Sequence, residues 1–293
     1  MSTSLMIQTK QEDAIRLVTD AVDSQGTKEV YRYALLKFFH WVGDAPVNRA
    51  AVHRYRDELQ QRGLAASTIN TRLSAIRKLA REARYNGYLT ADLAYPIEEI
   101  KNIKETGVRE GNWLSREQVR KLLNAPDGNT LKGLRDRAIL AVLVGAGLRC
   151  SECAGLQFKH LKQVDGSWAI VDIVGKGNKI RTVPIANWVK EYIDEWAEAA
   201  NISEGFVFRS MRRGDHLAGE NISRHAIWEV VKGYGVAPHD LRRTFSKLAR
   251  KGGAPLEQLQ FSLGHDSLKT TQVYLGIDQD FQDSPSRRLQ IYD

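Results

Sequence analysis

The sequence predicts a mainly α protein of two domains: a helical N-terminal domain, then a mixed, mostly helical domain with a small antiparallel β-sheet. Three observations carry that reading. Apolar residues recur at helical spacing through most of the 293 residues. Strand-like composition is confined to one pair of segments, S-W-A-I-V-D-I-V and K-I-R-T-V-P-I. A polar run from Tyr95 to Gly111, holding Pro96 and two glycines, reads as a tether. The expected boundaries are 8–95 for the helical domain, 96–111 for the linker, 112–275 for the second domain and 276–293 for a tail.

In the first domain, Thr27 precedes a run in which Val30, Ala34, Phe38 and Trp41 share a face. Asn48 is placed to cap a second helix with Val52, Tyr55 and Leu59 on one side, ending at Gly63. Ser67 opens a third, closed by Gly87, with Ile69, Leu73, Ile76, Ala80 and Ala83 as its buried stripe. The same helix carries Arg77, Arg81 and Arg84 at i, i+4 and i+7, with Arg72 and Lys78 nearby and Thr68, Asn70 and Thr71 beside them. Such a stripe suits the phosphates flanking a DNA major groove; a solvated basic face is the competing reading.

Charge points the same way. Forty-three Lys and Arg against 35 Asp and Glu give a net +8, which favours a polyanionic partner, nucleic acid before membrane surface. No apolar run reaches the length of a membrane span, and the first residues do not read as a signal peptide, so a cytoplasmic protein, nucleoid-associated when bound to DNA, is expected. Cys150 and Cys153 form a lone C-x-x-C with no second ligand pair, so no metal and no cofactor are expected and both are read as reduced helix residues.

The second domain opens on a capping box, Ser115 with Gln118. A central apolar helix ends at Gly147 and delivers Arg149 to the start of the next helix, where Ser151 is the expected cap and Glu152 can brace the arginine. A simple ion pair and an anion site are equally compatible with that motif alone. The strand pair is joined by G-K-G-N, which puts Lys176 on a hairpin tip. Two helical stretches follow, one with Val189, Tyr192 and Trp196 on a face, and S-M-R-R-G-D-H-L between them reads as a basic surface loop. Pro238 then starts a helix on which His239 and Arg242 share a face. Gly252-Gly253 ends it, Pro255 starts another, Gly264-His265 ends that one, and Tyr274 follows.

Arg149 in G-L-R-x-S-E, Lys176 in G-K-G-x-K, H-x-L-R at 239–242, L-G-H ending at His265 and a tyrosine nine residues later resemble the tyrosine recombinase (phage integrase) family. The likeness runs from about residue 11 to Tyr274. The hairpin run and the 23-residue step from Arg242 to His265 are nearest its Xer-type branch. The resemblance implies a SAM-like core-binding domain followed by the recombinase catalytic fold. It implies that Arg149 and Arg242 bind the scissile phosphate of double-stranded DNA with His239 and His265 beside them, that Lys176 is the hairpin lysine, that Tyr274 is the nucleophile, and that Glu152 supports the first arginine. It further implies inverted half-sites, a homo-tetramer on synapsed DNA with possible accessory proteins, and a tail docking on a neighbouring protomer. A type IB topoisomerase-like activity and a non-catalytic DNA-binding relative are the alternatives.

The chemistry makes a matching demand. Rejoining strands without an energy source requires the phosphodiester energy to be kept in a covalent bond, and a tyrosine oxygen can hold it if it loses its proton on attack. Two guanidiniums can clamp the non-bridging oxygens as charge grows there, staying ionised at any working pH. Lys176 is the best donor to the leaving 5′-oxygen, His239 the acceptor for Tyr274 and His265 a hydrogen-bond donor to the phosphate.

Overall fold

The structure is a computed structural model that describes residues 11–104, 112–175, 179–264 and 271. The chain divides into two compact units between residues 107 and 108.

In the first unit, α1 (Gln11–Asp20), α2 (Gln25–Val42), α3 (Arg49–Gln61) and α5 (Ala91–Glu98) all pack against α4 (Ala66–Tyr85). The heptad-like recurrence of Ile69, Leu73, Ile76, Ala80 and Ala83 gives α4 one wholly apolar face, and all five are buried with Ile15, Leu35, Phe38 and Leu59. Asn48 caps α3, its side-chain oxygen accepting from the Ala51 amide at 2.9 Å.

Three expectations shift. Val30 stands 47% exposed on α2, because Leu35 and Phe39 join Ala34 and Phe38 in the core and rotate Val30 outward. The third helix begins at Ala66, so Ser67 lies inside its first turn instead of capping it. The segment expected to start the linker is helical through Glu98, with Pro96 inside the helix. Ala94, Ile97 and Ile100 bury themselves at three-residue spacing in the first core, and that burial outweighs the helix-breaking tendency of the proline.

The second unit is built on α7 (Leu131–Gly145), ten of whose fifteen residues are buried. Against it lie α6 (Arg116–Leu123), α8 (Cys150–Ala154), α9 (Asn187–Ala199), α10 (Arg224–Gly233) and α11 (Pro238–Lys251), with α12 (Leu256–Leu263) on α11. Ser115 and Gln118 form the expected capping box. Trp196 of α9 is fully buried and donates its indole N–H to the Val207 carbonyl at 2.8 Å.

The sheet is larger than the expected strand pair. β1 (Leu161–Val164), β2 (Ser167–Val174) and β3 (Ile180–Pro184) form an antiparallel sheet in that order. β1 is polar along its whole length apart from its ends, so it carries no alternation to read. The segment expected as a basic loop is a second, two-stranded hairpin, β4 (Met211–Arg212) and β5 (His216–Leu217). Its turn residue Asp215 accepts the backbone amides of Leu131 and Lys132 at 2.6 and 2.7 Å, capping α7 from a distant part of the chain. No helix among the described residues is long and apolar enough to cross a membrane.

Candidate functional site

The second unit holds a cavity of about 550 Å³ whose wall includes Arg149, Arg242 and His239. Arg224, His225, Trp228 and Cys150 complete much of its lining, and among the described residues no carboxylate side chain is part of the wall. Helices α10 and α11 both begin here, at Arg224 and Pro238, so two helix N-termini add their positive ends to the cationic side chains. The arrangement selects for an anion.

Arg149 reaches the cavity because α7 stops short of it. The helix ends at Gly145, and Gly147 follows with φ +62°, a left-handed conformation. A Cβ on Gly147 would also sit 2.6 Å from the Phe245 ring of α11, so glycine is required both for the turn and for the close approach of α11. Arg149 itself, not Ser151, is the N-cap residue of α8. Its capping partner is Glu152: the carboxylate accepts the Arg149 backbone amide at 2.8 Å and the guanidinium Nη1 at 2.8 Å. The glutamate can do this because it stands at the third helical position, where a carboxylate reaches back to the cap. The ion pair weighed against an anion site is therefore present, and the same arginine lines the anion cavity with 33% of its side chain exposed.

Arg242 is 3% exposed. It donates to the Gly147 carbonyl, next to the α7–α8 turn, and to the Leu263 carbonyl at the end of α12. These two carbonyls fix its guanidinium at the wall of the cavity. His239, one turn earlier on α11, has its pKa lowered by burial and by the neighbouring charges of Arg242, Arg243 and Arg149, with Asp240 opposing. It is therefore neutral near pH 7 and able to accept a proton.

Glu152 is held by a residue that the sequence reading passed over. Arg181, on β3, donates Nη1 and Nη2 to the two Glu152 oxygens at 2.9 and 2.8 Å, and Nε to the Ser262 carbonyl at 2.9 Å. Burial works to raise the Glu152 carboxyl, but the hydrogen bonds from Arg181 and the Arg149 backbone, with both arginine charges, more than offset it, and its pKa is lowered. One signal in the sequence marks Arg181. It alternates with Val183 and Ile185, both buried, so it is a charged residue on the inward face of a strand and must have a partner there.

Cys150 lines the cavity and Cys153 is buried; both are free thiols, pushed up in pKa by burial. Lys176, His265 and Tyr274, with the tail 276–293, lie outside the described residues. Of the described residues next to them in sequence, Gly175 donates to the Lys179 carbonyl at 2.8 Å between β2 and β3, and Gly264 follows the last residue of α12.

The basic stripe of the first unit is engaged internally. Arg77 donates to the Ile100 carbonyl, to Ser74 Oγ and to Asn102 Oδ1 at 2.8–2.9 Å. Asn70 exchanges two bonds with the Ile103 backbone, at 2.9 and 2.8 Å. Arg81 and Arg84 pair with Glu98, Lys78 with Glu82, Arg72 donates to the Tyr55 hydroxyl, and Thr71 bonds back to the Ser67 carbonyl. Arg84 also lies between the rings of Tyr85 and Tyr95, 4.6 Å from each centroid. Much of the stripe thus anchors α5 and the segment after it; Thr68, Thr71 and Arg81 are its exposed members.

Two arginines and a histidine on one cavity make a site that fits an anion such as a phosphodiester. Comparison with known proteins gives the chain a family. The phage integrase family model matches residues 112–280, and the model of the phage integrase N-terminal SAM-like domain matches residues 16–87. The tyrosine recombinase XerD of Pseudomonas aeruginosa is 31% identical over 286 residues, covering 90% of each chain, and that of Chlorobaculum tepidum 30% identical over 282 residues, covering 88% of each. Among solved structures, a lambda integrase dimer bound to a COC′ core site matches with TM-score 0.69 at 17% identity, covering 94% of this chain and 79% of that one. The XerH site-specific recombinase bound to palindromic difH substrate matches with TM-score 0.67 at 20% identity, covering 86% and 76%. The chain belongs to the phage integrase family and is a tyrosine recombinase, with the mainly α fold of that family.

Proposed function

We propose that the protein is a site-specific DNA recombinase that cleaves and rejoins strands through a 3′-phosphotyrosyl intermediate on Tyr274. The observation that carries this reading is the convergence of Arg149, Arg242 and His239 on one cavity, from two segments kept together by the bond of Arg242 to the Gly147 carbonyl, 95 residues away in sequence.

The scissile phosphate occupies the cavity with its non-bridging oxygens against the two guanidiniums. The Tyr274 oxygen attacks phosphorus, its proton passing to the neutral His239, and the bond to the 5′-oxygen breaks as Lys176 supplies that oxygen with a proton. His265 donates a hydrogen bond to the phosphate. Negative charge on the five-coordinate phosphorus is greatest in the transition state, so guanidiniums already fixed by backbone carbonyls and Glu152 stabilise it without reorganisation. Reversal by a 5′-hydroxyl of the partner strand rejoins the DNA with no external energy source.

The DNA partner is a duplex with inverted half-sites, bound by the helical unit at 8–95 and the catalytic unit at 112–275. The relatives act as named recombinases and the solved neighbours were captured on DNA, which supports this partner; strand exchange further calls for a homo-tetramer on two synapsed sites.

The test is covalent capture. Genomic fragments linked to the wild-type chain are recovered and sequenced, and a nicked suicide duplex is built on the recovered sequence. Wild type should form a protein–DNA adduct resistant to denaturation, and Tyr274→Phe should form none. An adduct that persists in Tyr274→Phe removes the assigned nucleophile, and no adduct with either chain removes the catalytic reading.

A further inference from the structure

We propose that Arg181 is a positioning residue for strand cleavage: it locks Glu152 so that this carboxylate aims Arg149 into the cavity, and it ties the root of the Lys176 hairpin to the end of α12. The proposal rests on the reading of Arg149 as a phosphate ligand.

Three segments meet on this one guanidinium. Its fork spans both oxygens of Glu152 on α8, and its Nε takes the Ser262 carbonyl on α12, while its own backbone belongs to β3. Arg181 and Glu152 are 9% and 3% exposed, so the pair is shielded from water and its geometry is strongly held. The surroundings are cut to fit. A Cβ on Gly264 would lie 3.1 Å from the Arg181 side chain and one on Gly175 would lie 3.3 Å from Nη1. Gly175 closes the base of the Lys176 hairpin, and Gly264 precedes His265.

The division of labour on Glu152 follows from donor counts. Arg181 occupies both oxygens in a bidentate pair, whereas Arg149 uses one guanidinium nitrogen, on Oε1, and keeps a third of its side chain exposed at the cavity. Arg181 is thus the fixed cation and Arg149 the working one. Without Arg181 the glutamate would swing toward Arg149 and compete with the substrate phosphate for it. The next carbonyl after Ser262, that of Leu263, is a partner of Arg242, so the same end of α12 supports both phosphate-binding arginines, one directly and one through Arg181 and Glu152.

The experiment uses the full chain and the suicide duplex built on the captured genomic sequence. Cleavage rate and duplex Kd are measured for wild type, Arg181→Gln, Arg181→Lys, Glu152→Gln and the double variant. A misaimed guanidinium should slow cleavage roughly 10–100-fold with duplex Kd within about threefold of wild type. Lysine should fail to rescue, since it cannot reproduce the fork. In the Glu152→Gln background, Arg181→Gln should cost much less than in wild type, because its effect passes through that carboxylate. Arg181→Lys keeps the charge on a slightly shorter chain and provides a folded comparison should Arg181→Gln be unstable. Wild-type cleavage by Arg181→Gln or Arg181→Lys, or a loss that multiplies in full with that of Glu152→Gln, overturns the proposal. An adduct absent from wild type itself overturns the parent reading, and this one with it.

Discussion

Glu152 binds two arginines at once: Arg149 through Nη1 at 2.8 Å, and Arg181 through a two-pronged pair at 2.9 and 2.8 Å. One buried negative charge thereby organises two cations drawn from a helix cap and a strand. Its removal leaves Arg181 buried without a counter-charge. Glu152→Gln should therefore lower stability by about 3 kcal/mol in urea unfolding, the scale of breaking a buried pair from one side. The pH dependence has a definite sign. The Glu152 pKa is lowered in the folded state, so its contribution is present above the unfolded carboxyl value, near about 4.3, and is lost as pH falls through the lower folded value. Wild type should lose more stability than Glu152→Gln across that acid window; parallel curves would mean that the carboxylate is not the coupled group.

His239 titrates in the opposite sense from a salt-bridged histidine. Burial and the charges of Arg242, Arg243 and Arg149 lower its pKa, so the folded protein keeps it neutral where the unfolded chain would protonate. Its linked stability is full above the unfolded value of about 6.5 and falls as pH drops toward the folded pKa. Cleavage should follow the neutral form, with the midpoint of its acid limb below 6.5. Arg243→Gln should move that midpoint upward by removing a neighbouring cation, which a pH–rate profile on the suicide duplex measures. An unmoved midpoint would assign the limb to another group.

The protonation of the leaving oxygen can be separated from phosphate binding. Lys176→Ala should slow cleavage of ordinary DNA about 10²–10⁴-fold, the range of a general acid. On a duplex whose 5′-bridging oxygen is sulfur it should be nearly as fast as wild type, because a thiolate leaves without a proton. Equal losses on the two substrates would take Lys176 out of this role.

In the first unit, Arg77 binds the Ile100 carbonyl and Asn102 and so acts as a clasp on the segment after α5. Arg77→Ala should cost about 1–2 kcal/mol by leaving those acceptors unpaired, read as a shift of the urea midpoint. The salt dependence of DNA binding should keep its slope. A slope lower by about 1 would instead identify Arg77 as a phosphate contact.

The same helix shows how legibility divides. The apolar face of α4 was plain from its spacing, because a 3.6-residue period states which side chains meet the core whatever they meet there. The opposite face was not, since Arg77, Arg81 and Arg84 look alike whether their partner is solvent, phosphate or Glu98. Pro96 misled for a related reason: its local preference ends helices, and the burial of Ile97 and Ile100 that overrides it belongs to the tertiary contact with the rest of the first core.

By itself the sequence determined the two-part helical architecture, the capping box at Ser115, the central apolar helix, and the family motif holding Arg149, Lys176, His239, Arg242, His265 and Tyr274 in order. These are properties of local pattern and spacing. Tertiary structure decided that Arg149, His239 and Arg242 share one cavity, that Asp215 caps α7, and that Arg181 grips Glu152 from 29 residues away. A buried charge must find a counter-charge, and an unpaired helix amide an acceptor, but either partner can come from anywhere in the chain. Which residue supplies it is settled only when the elements pack.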